Sequence, residues 1–136
     1  MSPPYTTLRF AGYAALFGKR DAGRDLIRKG AFARTLAARR DALPLFWQHR
    51  PDLRVGWVVR IAEDDRGLRV IASIDNPDGA AGLALRSGEV TGLSFGYRTL
   101  GSRTSEEGRE LLDIELFEIS LVTHPMQHGA RVHLLR

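Results

Sequence analysis

Alternation between apolar and polar positions runs through most of this chain, and it predicts strands more often than helices. VGWVVRIAE and GLRVIASID alternate with a period of two on either side of Asp64-Asp65-Arg66-Gly67, the pattern of a β-hairpin. GLSFGYRTL is the next strand, joined through the polar turn SRTSEEG to RELLDIELFEISLV, a long strand or a bent pair. Residues 5–17 predict one or two strands ending near Gly18, LPLFWQ a short strand leading into His49, and ARVHLL a closing one. Two segments follow a helical period instead. GAFARTLAARRDAL puts Phe32, Leu36 and Leu43 near helical spacing with arginines outward, and Pro44 bars continuation. Asn76-Pro77 opens the second helix, with Asn76 as its N-cap and Gly88 as its C-terminal stop. DAGRDLIRKG, before the first helix, reads as a polar, glycine-punctuated loop. Six or seven strands with two helices give a mainly β class with flanking helices (α+β), an antiparallel barrel or sandwich.

Three polar residues interrupt apolar segments: His49 in LPLFWQHRPD, Ser94 in GLSFGYR and Glu118 in ELFEISLV. Polar groups in core-forming strands are costly unless paired, so the three invite pairing with one another. Alternation puts Leu93, Phe95 and Tyr97 on one face and Ser94, Gly96 and Arg98 on the other. In the late strand Leu116, Glu118, Ser120 and Val122 share a face, opposite Phe117, Ile119 and Leu121. Ser94, Glu118 and Ser120 would then face a common groove, with His49 emerging at a strand end. A serine hydroxyl is a poor nucleophile until a base takes its proton, and a carboxylate fixes the tautomer of a histidine base. The same residues also fit a strand serine bonded to backbone, a surface histidine and a glutamate paired with arginine. The pattern alone leaves both open.

Composition narrows the classes. With 136 residues the chain is expected to form one domain, 1–136, with a single core. It has no cysteine, so disulfides and thiolate metal sites are excluded. No window is long and apolar enough to span a membrane, and MSPPYTTLRF lacks the pattern of an export signal. An unexported cytoplasmic protein with no membrane partner is expected. The net charge of +4 is carried largely by arginines such as Arg34, Arg39 and Arg40. Acidic residues are interspersed with them, which reads as a solvated face rather than a nucleic-acid interface. His124, His128 and His133 fit no zinc spacing, so no metal is expected. Gly92 and Gly96 form no phosphate-binding fingerprint, and no cofactor is expected. Trp47 and Trp57 read as core.

Four motifs, taken in order, resemble one known family. GYAALFGKRDAGRDLIRKGAFARTL is similar to the opening of the tailed-phage prohead proteases, which carry a G-Y-A-x-x-F segment and then G-A-F. LPLFWQHRPDLRVGWV resembles their histidine segment, GLSFGYR their serine motif, and ELFEISLVTHPMQHGARV their closing signature. Together the motifs cover nearly the whole chain. The resemblance implies a serine endopeptidase of capsid maturation with a fold like that of the herpesvirus assembly proteases, a compact antiparallel β-barrel wrapped by helices. Carried over by motif, His49 is the general base and Ser94 the nucleophile. In the herpesvirus enzymes the third member is a histidine following the serine at a similar remove to Glu118, which lies 24 residues after Ser94 (118 − 94). Glu118 is therefore taken as third member, with Glu115 and Asp113 in reserve and Ser120 as a hydrogen-bond partner behind it. The loop at Thr123–His124 is a candidate source of oxyanion donors.

The implied partners are the major capsid protein precursor and its scaffold segment, met inside assembling proheads in the bacterial cytoplasm. A homo-oligomer, dimer or higher, is expected. The chain ends soon after the closing signature where many relatives continue, which puts self-cleavage and recruitment through a tail in question. That brevity, with the basic ending THPMQHGARVHLLR, also resembles the versions encoded in bacterial gene transfer agents. The alternative is a catalytically silent assembly factor that keeps the fold and binds capsid protein.

Overall fold

The computed structural model describes residues 8–135. The strand expected over residues 5–17 is present as β1 (Leu8–Leu16), and its first expected residues, 5–7, lie outside the described residues. There follow β2 (Asp25–Ile27), α1 (Ala33–Ala38), β3 (Pro44–Trp47), β4 (Arg50–Glu63) and β5 (Gly67–Ile74). The chain continues through α2 (Ala80–Ser87), β6 (Gly92–Ser105), β7 (Gly108–Val122) and β8 (Val132–Leu134). All eight strands belong to one sheet, ordered β2-β7-β3-β4-β5-β1-β8, with β6 on the far edge of β7.

The two predicted hairpins form for local reasons. Asp64 Oδ1 accepts the Arg66 and Gly67 N–H groups at 2.8 and 3.1 Å, turning the chain between β4 and β5. β6 and β7 are single long strands, so the polar turn contracts to Glu106-Glu107. Their inner faces meet Leu45, Leu68, Val70 and Ile74 in a core where Leu93, Ile114, Ile119 and Leu121 are fully buried. Phe32 closes one side of it, edge-on to Phe95 at 5.4 Å.

The mainly β class holds, with helices at the flanks, but the sheet is mixed and does not close as one antiparallel ladder. β2 and β3 both run parallel to β7, taking the same edge at residues 109–111 and 119–121. The three-residue β8 reaches β6 only through an isolated bridge between Gly92 and Arg131, flanked by Leu93 N–H to Ala130 O at 2.8 Å. That strand is too short to propagate a ladder, and the ring stays open beyond the bridge. Past Gly92, β6 has β7 on one side and no strand on its other edge among the described residues.

Three local expectations are corrected. DAGRDLIRKG contains β2, held to β7 by Arg109, whose Nε and Nη2 donate to the two Asp25 carboxylate oxygens at 3.2 and 2.9 Å. The first helix is only six residues long, because Arg39 turns extended (ψ 132°) and carries Leu43 into the sheet core instead. Asn76 does not cap α2: its Oδ1 accepts the Asp78 N–H at 3.2 Å in a preceding turn, and Gly79 is the N-cap. Gly88 does end α2, in the left-handed conformation at φ 79°.

Strand β7 also changes phase along its length. Ile114 and Leu116 face the core at one end, whereas Ile119 and Leu121 face it at the other. The register shift between Gly96 and Tyr97 of β6 absorbs the extra residue, and Phe117 is left half-exposed. Leu116 therefore does not share the face of Glu118, as unbroken alternation required. Bulges of this kind re-aim the side chains that follow them, and here the next side chain is Glu118.

Candidate active site

The outer face of the β6–β7–β3 portion carries the polar residues that sequence alternation set apart. Ser94 pairs directly with Ser120, Gly96 with Glu118, and Phe46 of β3 with Ser120 on the opposite edge. Their neighbours Leu93, Phe95, Ile119 and Leu121 point inward or pack on the core. Ser94, Glu118 and Ser120 are nevertheless buried, at 5%, 7% and 0% exposure, although they face away from it. Burial there requires partners, and Glu118 and Ser120 have them.

His49 arrives from β3. Trp47 pairs with Arg50, so Gln48 and His49 form a two-residue turn between β3 and β4. Both have positive φ, 52° and 61°, a combination usually supplied by Asn-Gly. The turn folds the imidazole over β7, where Nδ1–H donates to Glu118 Oε1 at 2.7 Å. The His49 backbone N–H donates to Ser120 Oγ at 3.2 Å, and the Ser120 hydroxyl donates to Glu118 Oε2 at 2.6 Å. Each carboxylate oxygen thus receives one hydrogen bond, and Ser120 ties the carboxylate to the backbone that carries the histidine.

The glutamate can lie flat because the residue opposite it has no side chain. A Cβ on Gly96 would come within 2.9 Å of Glu118 Cγ and Cδ and closer still to Oε1. The Glu118 side chain is 10% exposed and that of His49 43% exposed. The hydrogen bond to Glu118 raises the imidazole above the ordinary histidine value, and partial burial opposes that rise. With Nδ1–H held by the carboxylate, Nε2 keeps its lone pair, the arrangement a general base needs.

Ser94 is the direct ladder partner of Ser120, yet its hydroxyl makes no hydrogen bond to His49 among the described residues. It stands instead in the wall of a narrow cavity of about 30 Å³ with Ala14, Ile27, Phe95, Tyr97 and Met126, along the unpaired edge of β6. The reserve carboxylates are engaged elsewhere. Glu115 pairs with Arg98 across the ladder at 2.8 Å and Asp113 with Arg34 at 3.2 Å, both farther down β7. Thr123 cannot lend its N–H to an oxyanion, because that group donates to Gln48 Oε1 at 3.2 Å. No group of three or more His, Asp or Glu side chains gathers to hold a metal among the described residues, and none of their helices is long and apolar enough to cross a membrane. Sequence reasoning missed Gln48 and its contacts with Thr123. The sequence carried no signal for this turn, since Gln48-His49 holds neither glycine nor asparagine and runs on into the polar Arg50-Pro51-Asp52.

Comparison with known proteins gives a consistent set. A family model described as Caudovirus prohead serine protease matches residues 4–136. The chain is 33% identical over 134 residues to the prohead protease of Enterobacteria phage HK97, covering 93% of this chain and 60% of that protein. It thus spans about three-fifths of the length of the curated relative it matches. Among solved structures, the varicella-zoster virus protease aligns with a TM-score of 0.65 at 20% identity, over 94% of this chain and 64% of that one. The protease of Kaposi's sarcoma herpesvirus (KSHV), solved with a hexapeptide phosphonate inhibitor, aligns with a TM-score of 0.68 at 16% identity, over 96% and 65%. At these identities the two structures establish a shared fold, the one the motif resemblance implied.

Proposed function

The chain belongs to the Caudovirus prohead serine protease family, and on that premise we propose that it is a serine endopeptidase, residues 1–136 acting as one protease domain, with Ser94, His49 and Glu118 as its catalytic group. The observation that carries this reading is the 2.7 Å contact between His49 Nδ1 and a buried carboxylate, two ladder pairs from a serine that lines a narrow cavity at the open edge of the sheet. Ser94 Oγ attacks the scissile carbonyl while His49 Nε2 takes its proton and then passes it to the leaving amine. The resulting acyl-enzyme is hydrolysed by water activated by the same imidazole. Glu118 holds the ring in the required tautomer and stabilises the imidazolium. Backbone N–H groups stabilise the tetrahedral oxyanion. The Ser94–His49 hydrogen bond forms as substrate binds, since such contacts are commonly long in substrate-free enzymes.

The substrate we propose is the N-terminal scaffold segment of a major capsid protein precursor, cut inside the assembling prohead in the bacterial cytoplasm by a homo-oligomer of this chain. Co-expression with that precursor tests this directly. Ser94→Ala should lower cleavage by roughly 10⁴-fold or more, and unchanged cleavage would sink the assignment.

A second reading draws on the absent Ser94–His49 hydrogen bond: a catalytically silent partner of capsid assembly with the same fold. A fluorophosphonate probe separates the two. An activated Ser94 is labelled and Ser94→Ala is not, whereas a silent protein gives no labelling in either form.

A further inference from the structure

We propose that Gln48 is a positioning residue: it clamps the β3–β4 turn to the end of β7 and thereby aims the His49 ring at Glu118. The placement stands on geometry, and only its kinetic readout rests on the protease reading above.

Two successive non-glycine residues in the left-handed region form a strained turn that must be held by its surroundings. The β3–β4 ladder ends at Trp47–Arg50, so no ladder bond beyond that pair fixes the turn. Four hydrogen bonds to β7 and the residue after it do so. Gln48 N–H donates to Leu121 O at 2.9 Å and His49 N–H to Ser120 Oγ at 3.2 Å. The Gln48 side chain supplies the other two, donating from Nε2 to Thr123 Oγ1 at 2.6 Å and accepting the Thr123 N–H on Oε1 at 3.2 Å. This amide grips Thr123 by backbone and side chain together, directly beside the residue whose orientation matters. A small rotation of the turn would carry the imidazole off the carboxylate, and a displacement of that size at a reacting group is enough to cost rate. Glu118 is the charged partner of the ring, while the neighbouring Arg50 is paired with Asp52 at 2.9 Å.

Replacing Gln48 with glycine separates aiming from bracing. Gln48→Gly relieves the left-handed strain, since glycine adopts positive φ freely, and removes the clamp. A positioning role predicts a folded protein whose kcat falls about 10-fold or more at nearly unchanged KM. It also predicts that the acid limb of kcat/KM moves down toward the ordinary histidine value. Thr123→Val should reproduce the loss in part and Thr123→Ser should restore it. Titrating His49 by NMR in wild type and Gln48→Gly reads the same contact without any turnover. Wild-type kcat and an unmoved His49 titration in a folded Gln48→Gly protein would overturn the proposal. If instead Ser94→Ala stays fully active, the protease reading fails while the NMR titration still decides the clamp.

Discussion

Gly96 stands directly opposite Glu118 in the β6–β7 ladder, and the carboxylate occupies the space a side chain at 96 would fill. The glycine is required by its neighbour rather than by its own backbone, which is ordinary strand. Alanine at this position therefore fits the chain but not the site. Gly96→Ala should leave the protein folded at a cost of about 1–3 kcal/mol, while pushing the carboxylate off His49 and lowering kcat/KM by about 100-fold. Parallel melting curves and peptide-cleavage rates check it, and a fully active variant would show that Glu118 does not serve His49.

Glu118→Gln keeps the shape and removes the charge. Turnover should drop by about 10⁴-fold. The acid limb of kcat/KM should fall toward 6.5, the ordinary histidine value, because the hydrogen bond that raises the His49 imidazole is weakened. A pH–rate series on both proteins measures the shift.

The same raised value has a signature in stability. A folded state that holds the His49 proton more tightly than the unfolded chain is stabilised by it. That contribution is complete below about 6.5, the unfolded value, and is lost as pH rises through the higher folded value. His49→Ala should remove this pH dependence from urea midpoints across that window. A mutant curve parallel to wild type throughout would contradict the coupling.

Gln127 is buried in the loop between β7 and β8, and its amide continues the β1 hydrogen bonding. It accepts the Leu16 N–H on Oε1 at 2.6 Å and donates from Nε2 to Leu16 O and Lys19 O at 2.9 and 3.1 Å. Gln127→Leu leaves these backbone groups without partners and should destabilise the protein by about 2 kcal/mol in chemical denaturation.

Phe32→Ala should cost more, about 3–5 kcal/mol, because a fully buried ring with an edge-on contact to Phe95 is removed from the core. A loss below about 1 kcal/mol would mean that the neighbourhood collapses into the space.

The legibility of this protein in its sequence followed the range of the forces involved. The β4–β5 and β6–β7 hairpins were readable because turn chemistry and strand alternation are local, and Ser94 fell on the outer face for the same reason. Leu116 was misassigned because a bulge at Phe117 reverses the alternation, and nothing in ELFEISLV marks where the extra residue will sit. The helix after Phe32 was overextended because Leu43 suits a helix face as well as a sheet core, and only tertiary packing decides between them. β2 was lost in a polar loop since its stability comes from pairing with residues 109–111, far along the chain. Within the site, His49 was visible as a residue type but its turn was not. Gln48-His49 lacks the glycine that normally announces such a turn, and its hydrogen bonds all go to residues beyond position 117.

That reach gives the site an order of assembly. Ser94 and Glu118 belong to one hairpin and meet as soon as it zips. His49 can join them only when β3 docks in parallel on β7, a contact between segments some seventy residues apart, the kind of closure that forms slowly. A chain caught partway through folding would hold the hydroxyl and the carboxylate without the imidazole to link them. On the protease reading proposed above, competence to cut therefore waits for β3 to dock on β7, however early the hairpin that carries the nucleophile forms.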